Sequence, residues 1–220
     1  MIWPPEDDMS RVVAIFDVDQ TLVQGYTERL FFRYLVRQRR LSLPRALVYL
    51  SGVACRIRDR FQDKSYLAGL QVEEVVRLAR QCYRKDIASR VGLAARACVR
   101  EHQAQGHAIA LLSGSLSLLL APLQEELGAD WLIATELQRV NGQFTGAISG
   151  LHPRGPNKLR LLQDLSRAQG FDLSQAYAYG DHIQDSYLFR SIGNPVAVNP
   201  SWRLKRQARK YCWPIRYFTL

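Results

Sequence analysis

The sequence predicts an α/β fold: a Rossmann-like parallel sheet flanked by helices and interrupted once by an all-helical insertion. Three observations predict it. Short apolar runs that halt at polar clusters recur along the chain. Helical patterns separate most of these runs, and strands alternating with helices argue for a parallel sheet. Residues 26–105 break the alternation, with helical patterns but no strand-like run. The expected organisation is a sheet-bearing core of residues 1–25 and 106–220, with residues 26–105 as a separate helical domain.

The first strand is Val12-Val13-Ala14-Ile15-Phe16, short, partly β-branched and halted by Asp17. Helical patterns follow over 28–39, 44–61, 73–83 and 87–103. Pro44 suits a helix start, Glu73-Glu74 suit a first turn, and Gly106 suits a helix end. His107 to Leu112 forms the second strand and stops at Ser113-Gly114-Ser115. A helix over 116–127 with Gly128 as its stop leads to a third strand at 131–135. Asn141-Gly142, inside 137–145, signals a hairpin. A helix over 158–168 precedes the fourth strand, 176–179, which stops at Gly180-Asp181. The last strand, 195–198, stops at Asn199-Pro200.

With 220 residues, 47% apolar and 23% charged, the chain is neither disordered nor fibrous. A chain of this length buries roughly 70% of its unfolded surface, so it needs no metal or disulfide to fold. Cys55, Cys82, Cys98 and Cys212 form no C-x-x-C pair and read as inert thiols of a reducing compartment. The first ten residues lack the basic and apolar regions of a secretory signal. No run reaches the ~18 apolar residues that span a bilayer. A cytoplasmic location is expected.

The chemistry sits where the strands end. In open α/β sheets, ligands bind outside the carboxyl ends of the strands, so Asp17-Val18-Asp19-Gln20-Thr21, Ser113-Gly114-Ser115 and Gly180-Asp181 with Asp185 should meet at one edge. Lys158, opening a helix after Gly155-Pro156, joins them. Asp17, Asp19, Asp181 and Asp185 would repel one another unless neutralised. Mg2+ is the natural partner, since it takes one or two carboxylates together with water and phosphate oxygens. Lys158 adds a fixed positive charge, and Ser113 with following backbone N–H groups offers an anion cradle. That set suits phosphoryl transfer, with a carboxylate as nucleophile. Side chains at i and i+2 of an extended segment share a side. Asp17 would attack phosphorus while Asp19 serves as general acid and base.

These four segments, in this order, resemble the haloacid dehalogenase-like phosphohydrolase superfamily, and the insertion after the first motif resembles the type 1 cap of its phosphoserine phosphatase-like branch, subfamily IB. The resemblance implies a Mg2+-dependent phosphatase working through an aspartyl-phosphate. It implies Asp17 as nucleophile and Asp19 as acid/base. Mg2+ would be held by Asp17, the Asp19 backbone carbonyl and Asp181, with Asp185 as ligand or anchor. Ser113, Gly114 and Lys158 would hold the phosphoryl group, and Thr21 would orient the first loop. Two departures bear on substrate. Tyr26 stands where phosphoserine phosphatases carry an acid, and Gln184 where they carry Asn. Gln20 stands where the commonest motif has Gly. A small anionic phosphomonoester is the expected substrate. The alternatives are transfer to an alcohol acceptor, or a non-catalytic phospho-ligand or membrane-surface binding protein on the same scaffold. His152, Arg154 and His182 are candidates for the pocket rim, whereas His102 and His107 show no ligand spacing.

The charge balance, 30 Lys+Arg against 20 Asp+Glu, is +10 and uneven. Nine arginines lie between Arg29 and Arg60 against one acid, Asp59; the last twenty residues hold Arg203, Lys205, Arg206, Arg209, Lys210 and Arg216 with none. Solvated faces account for most such charges. The sharper reading of the first group is a cationic funnel for an anionic substrate. The apolar stretch Ala46–Cys55 between basic flanks adds peripheral membrane contact as an alternative. Nucleic acid is not an expected partner, since no aromatic-basic recognition motif is present.

Overall fold

A computed structural model of the chain describes residues 11–41 and 64–218. The predicted helix over 44–61 and the stretch Ala46–Cys55 lie outside the described residues. Among the described residues, seven strands form one sheet: β1 (Val13–Phe16), β2 (Ala108–Leu116), β3 (Trp131–Val140), β4 (Gln143–Ser149), β5 (Tyr177–Gly180), β6 (Asn194–Val198) and β7 (Ile215–Arg216). Their order is β4-β3-β2-β1-β5-β6-β7, parallel except for the β3–β4 hairpin. The predicted α/β class, with helices inserted between β1 and β2, is the observed one. The chain winds away from β1 in both directions, so the switch point of the topology lies at the end of β1.

The central strands are apolar on both sides because helices cover both faces. One face carries Phe16, Ile109, Leu111 and Tyr179 under α1 (Thr27–Arg37), α2 (Val72–Cys82), α3 (Leu93–Ala104) and α4 (Ser117–Leu127). The other carries Ile15, Ala110 and Ala178 under α5 (Pro156–Gln169), α6 (Ser186–Phe189) and α7 (Trp202–Lys210). At the hairpin, Asn141 and Gly142 both adopt positive φ, 49° and 76°, the pattern of a type I′ turn.

Three local expectations change. The predicted helix over 87–103 begins instead at Leu93. Residues 83–87 form a π-turn and 88–90 a 3₁₀ turn. The backbone there is committed elsewhere: Gln24 N–H donates to Arg90 O at 2.9 Å and Gly92 N–H to Leu22 O at 3.2 Å, tying this stretch to the loop after β1. Strand β2 runs on through Ser113-Gly114-Ser115 to Leu116, which pairs with Thr135 past an irregularity in the ladder. Strand β7 is too short for any periodicity to reveal. Of the cysteines, Cys82 and Cys98 are buried and free, and Cys212 is exposed.

The middle of the insertion is pinned to the hairpin. Lys64 N–H donates to Gly146 O at 3.2 Å, Gly69 N–H to Phe144 O at 2.7 Å, and Val72 N–H to Gly142 O at 2.9 Å. Gly146 has φ +84°, and a Cβ there would come within 2.9 Å of Ser65 Cα, so the close approach requires glycine.

Candidate active site

Strands β1 and β5 are neighbours, with Phe16 opposite Tyr179. The residues that follow them, Asp17 and Asp181, therefore leave the sheet side by side. Lys158, in the first turn of α5, reaches both Asp17 Oδ1 (3.0 Å) and Asp185 Oδ1 (2.7 Å). Asp185 Oδ2 accepts from His182 N–H at 3.0 Å. Gly180 makes room for this carboxylate, since a Cβ there would lie 2.7 Å from Asp185 Cγ. Carboxylate oxygens of Asp17, Asp181 and Asp185 lie within 4.8 Å of one another.

Three acids and one ammonium leave negative charge in surplus in a mostly buried place. Burial pushes the Asp17 carboxyl up to about 7; Lys158 opposes this and Asp185 adds to it. Burial, then Asp17 and Asp185, push Asp181 up to about 8. Burial alone would pull Lys158 down, but Asp17 and Asp185 outweigh it and hold the lysine charged. Hard oxygen donors crowded around uncompensated negative charge fit a divalent cation.

The Asp19 carboxylate points elsewhere, and the side-chain cluster does not include it. Its Oδ1 accepts from Thr27 N–H (2.9 Å) and Thr27 Oγ1 (2.8 Å) at the start of α1. Burial raises its pKa to about 6 against these two bonds, which lower it. Thr27 spends its one hydroxyl proton on Asp19, so Ser115 Oγ donates to Thr27 Oγ1 across 2.5 Å. Gln20 sits at φ 66°, which explains why glycine suits this position; its Oε1 accepts from Gly25 N–H at 2.8 Å and holds the turn.

Ser113 and Gly114 lie on β2, the strand on the other side of β1. Ser113 is buried, and its Oγ accepts from Ser115 N–H at 3.1 Å. Gly114 O accepts from Thr135 Oγ1 at 2.7 Å. With the Thr135 proton used there, His152 donates from Nδ1 to Thr135 Oγ1 (2.8 Å). Burial, Lys64 and Arg154 hold the His152 pKa down to about 4, so its ring is neutral with Nε2 free to accept. A Cβ at Gly114 would lie 3.4 Å from the His152 ring. Nearby, the buried Lys64 grips Glu28 through both oxygens, at 2.8 and 2.6 Å. Arg154 Nε donates to Gln184 Oε1 at 3.0 Å. Thr21 is buried, its hydroxyl without a partner among the described residues.

The structure thus brings Asp17, Lys158, Asp181 and Asp185 together and turns Asp19 toward the inserted helices. Sequence reasoning missed Thr27, Thr135 and the Glu28–Lys64 pair, and gave Ser115 no role beyond its place in the Ser113-Gly114-Ser115 cluster. A threonine at the first position of a helix gives a weak signal for Thr27. The other contacts join residues far apart in the chain and leave no local pattern.

The haloacid dehalogenase-like hydrolase family matches residues 14–190. The chain belongs to that family. It is 30% identical to the "Inhibition of morphological differentiation protein" of Streptomyces azureus, over 96% of this chain and 79% of that one. It is 28% identical to phosphoserine phosphatase SerB1 of Mycobacterium tuberculosis, over 99% and 73%, and 26% identical to a histidinol-phosphatase of Neisseria meningitidis, over 94% and 98%. In fold it is similar to a Bordetella pertussis protein of unknown function, with TM-score 0.86 and 24% identity over 96% of this chain and 100% of that one. A phosphoserine phosphatase in apo form superposes with TM-score 0.68 and 22% identity over 95% and 94%. This member of the haloacid dehalogenase-like family is an enzyme of the phosphatase class.

Proposed function

We propose that the protein hydrolyses a small phosphate monoester, with Mg2+, through a phosphoryl group carried on Asp17. The observation that supports this best is the shared Lys158, whose ammonium binds the Asp17 and Asp185 carboxylates at once. Lys158 orients the Asp17 carboxylate and offsets charge on the phosphoryl oxygens. Asp17 attacks phosphorus as the bond to the leaving oxygen breaks. Asp19 gives that oxygen its proton. A pKa of about 6 suits both halves of the task, since an acid poised near the working pH gives and regains a proton readily. Asp19 then takes a proton from water, which attacks phosphorus and releases inorganic phosphate and free Asp17. Ser113 and the Gly114 backbone cradle the phosphoryl oxygens. Carboxylates of Asp17, Asp181 and Asp185, with the Asp19 backbone carbonyl, would hold Mg2+. The ion, when bound, supplies charge compensation for the equatorial oxygens.

We further propose residues 1–25 and 106–220 as the catalytic core and residues 26–105 as a cap that covers the site and selects the leaving group. Tyr26 is exposed under the Arg29 guanidinium, 4.5 Å from its ring centroid, and offers no carboxylate to a substrate amine. Gln184 is engaged by Arg154. Both disfavour phosphoserine, although relatives bear phosphoserine- and histidinol-phosphatase names. Amino alcohol phosphates, histidinol phosphate and phospholipid-derived head groups stand ahead of it. Phosphate release across such a panel, with EDTA and with Mg2+ restored, tests this. Activity that survives EDTA, or none on any monoester, would refute it.

A further inference from the structure

Two basic regions stand out in the sequence, and the structure separates them. Among the described arginines of the inserted helices, several have acidic partners: Arg37 pairs with Asp86, Arg40 with Glu74, Arg80 with Glu125 and Arg96 with Glu126. The C-terminal region differs. Residues 186–220 hold seven Lys and Arg and no Asp or Glu. Among the described residues, none of the seven forms an ion pair.

They gather around α7. Leu204 and Ala208 face the core. Trp202, Arg206 and Arg209, spaced i, i+4 and i+7, lie on the opposite face. Exposed aromatics are set among these cations: Trp202 at 70%, Tyr217 at 59% and Tyr211 at 42% exposure. Arg203 lies over Trp202 (5.2 Å), Lys205 over Tyr217 (5.9 Å) and Lys210 over Tyr211 (5.4 Å). The face borders the site, because Ser201 N–H, just before α7, donates to Asp181 O at 2.8 Å.

We infer that this face docks the enzyme on an anionic lipid surface. Unneutralised cations are attracted to such a leaflet, and Trp and Tyr settle at headgroup depth. Single-stranded nucleic acid also meets basic and aromatic surfaces, but through rings stacked on bases. Here each exposed ring carries a cation, and Tyr211 is also stacked on Trp213 at 5.1 Å, which leaves little ring face for a base. The docking helix presents charge and aromatic anchors rather than an apolar face, so attachment is reversible and salt-sensitive.

Vesicle sedimentation of the full chain tests this. Wild type should pellet with vesicles of phosphatidylcholine and about one-third phosphatidylglycerol, not with phosphatidylcholine alone, and about 0.5 M salt should release it. Arg206→Gln with Arg209→Gln should weaken partitioning about thirtyfold, the product of about fivefold per cation. Trp202→Ala should weaken it several-fold, and Arg40→Gln on the paired face should leave it unchanged. Turnover of p-nitrophenyl phosphate without vesicles should be unaltered in all three, which certifies the fold. Wild type left in the supernatant, equal pelleting of the double variant, or binding of a single-stranded RNA without vesicle binding would each overturn the inference. Pelleting needs no turnover, so it stands or falls apart from the catalytic reading.

Discussion

Charge lives in two settings in this molecule. At the strand ends Asp17, Lys158, Asp181 and Asp185 are crowded and largely withdrawn from water. Where the inserted helices meet α4, the same kinds of side chain face one another across solvent, as in Arg80–Glu125, where the partners are 45% and 58% exposed. Water and salt screen the second group, so its pairs are nearly interchangeable with solvent. The first group has no such reservoir. The pKa values of Asp17 and Asp181 climb, and the lysine cannot be removed without leaving unanswered charge. Chemistry is therefore expected where charge is dear, and tolerance where it is cheap.

The sharpest separation comes from Asp17→Asn. An amide is almost isosteric but is no nucleophile, so turnover should fall about 10⁴-fold or more with the circular dichroism spectrum unchanged. Asp19→Asn should lose about 10²–10⁴, the span of general acid–base help. Retained turnover in Asp17→Asn would show that the cluster does not carry the phosphoryl group.

Lys158→Met probes the same cluster through stability. Removing the ammonium strands Asp17 and Asp185 beside Asp181, and breaking a buried pair typically costs about 3–5 kcal/mol. Denaturant unfolding should register that loss, and Mg2+ should recover part of it if the carboxylates bind the ion. A variant as stable as wild type would mean the buried charges are better hydrated than their setting implies.

This contrast also explains how far the sequence could be read. Strand ends announce themselves, because an apolar run that stops at Asp or at Ser-Gly is a local event; Asp17, Ser113 and Asp181 were legible for that reason. Lys158 was legible only by its order between them. The direction of the Asp19 carboxylate was not, since it depends on Thr27 and Ser115, the latter 88 residues from its partner. The break at 88–92 was hidden too. Ala88 to Arg90 are helix-compatible and Gly92 alone gives only a weak break signal, while bonds to the loop after β1 hold the stretch out of the helix. Charge was the least legible property. The counts flagged both basic regions alike, while among the described residues Arg37 and Arg40 of the first have acidic partners and the cations of the second have none.

Behind the site, a buried group without net charge offers an intermediate case. His102 Nε2 meets Tyr179 Oη at 2.7 Å, and its Nδ1 meets His107 Nδ1 at 2.8 Å. Burial first, then His107 and Arg216, lower the His102 pKa to about 4. The unfolded chain, with an ordinary histidine pKa near 6.5, binds more protons between those values, so stability rises with pH across that window. This contribution is fully present above about 6.5 and is lost as pH falls toward 4. Denaturation midpoints from pH 7.5 downward should decline more steeply in wild type than in His102→Gln. Parallel profiles would show that His102 is solvated in the folded state.

The smallest effect belongs to the inserted helices. Arg80 donates to both Glu125 oxygens, at 2.9 and 2.6 Å, a geometry that on paper rivals Lys158 with its two carboxylates. The hydrogen bonds to Glu125 raise the Arg80 pKa, yet both groups remain in water. Arg80→Gln should therefore leave the melting temperature and p-nitrophenyl phosphate turnover within error of wild type, at low salt and at high. A drop that vanished at high salt would mean the pair is electrostatically coupled despite its exposure. A drop that persisted would mean that the arginine stem packs on α4. Either result would move this ion pair out of the solvent-screened class and erase the distinction between the two settings.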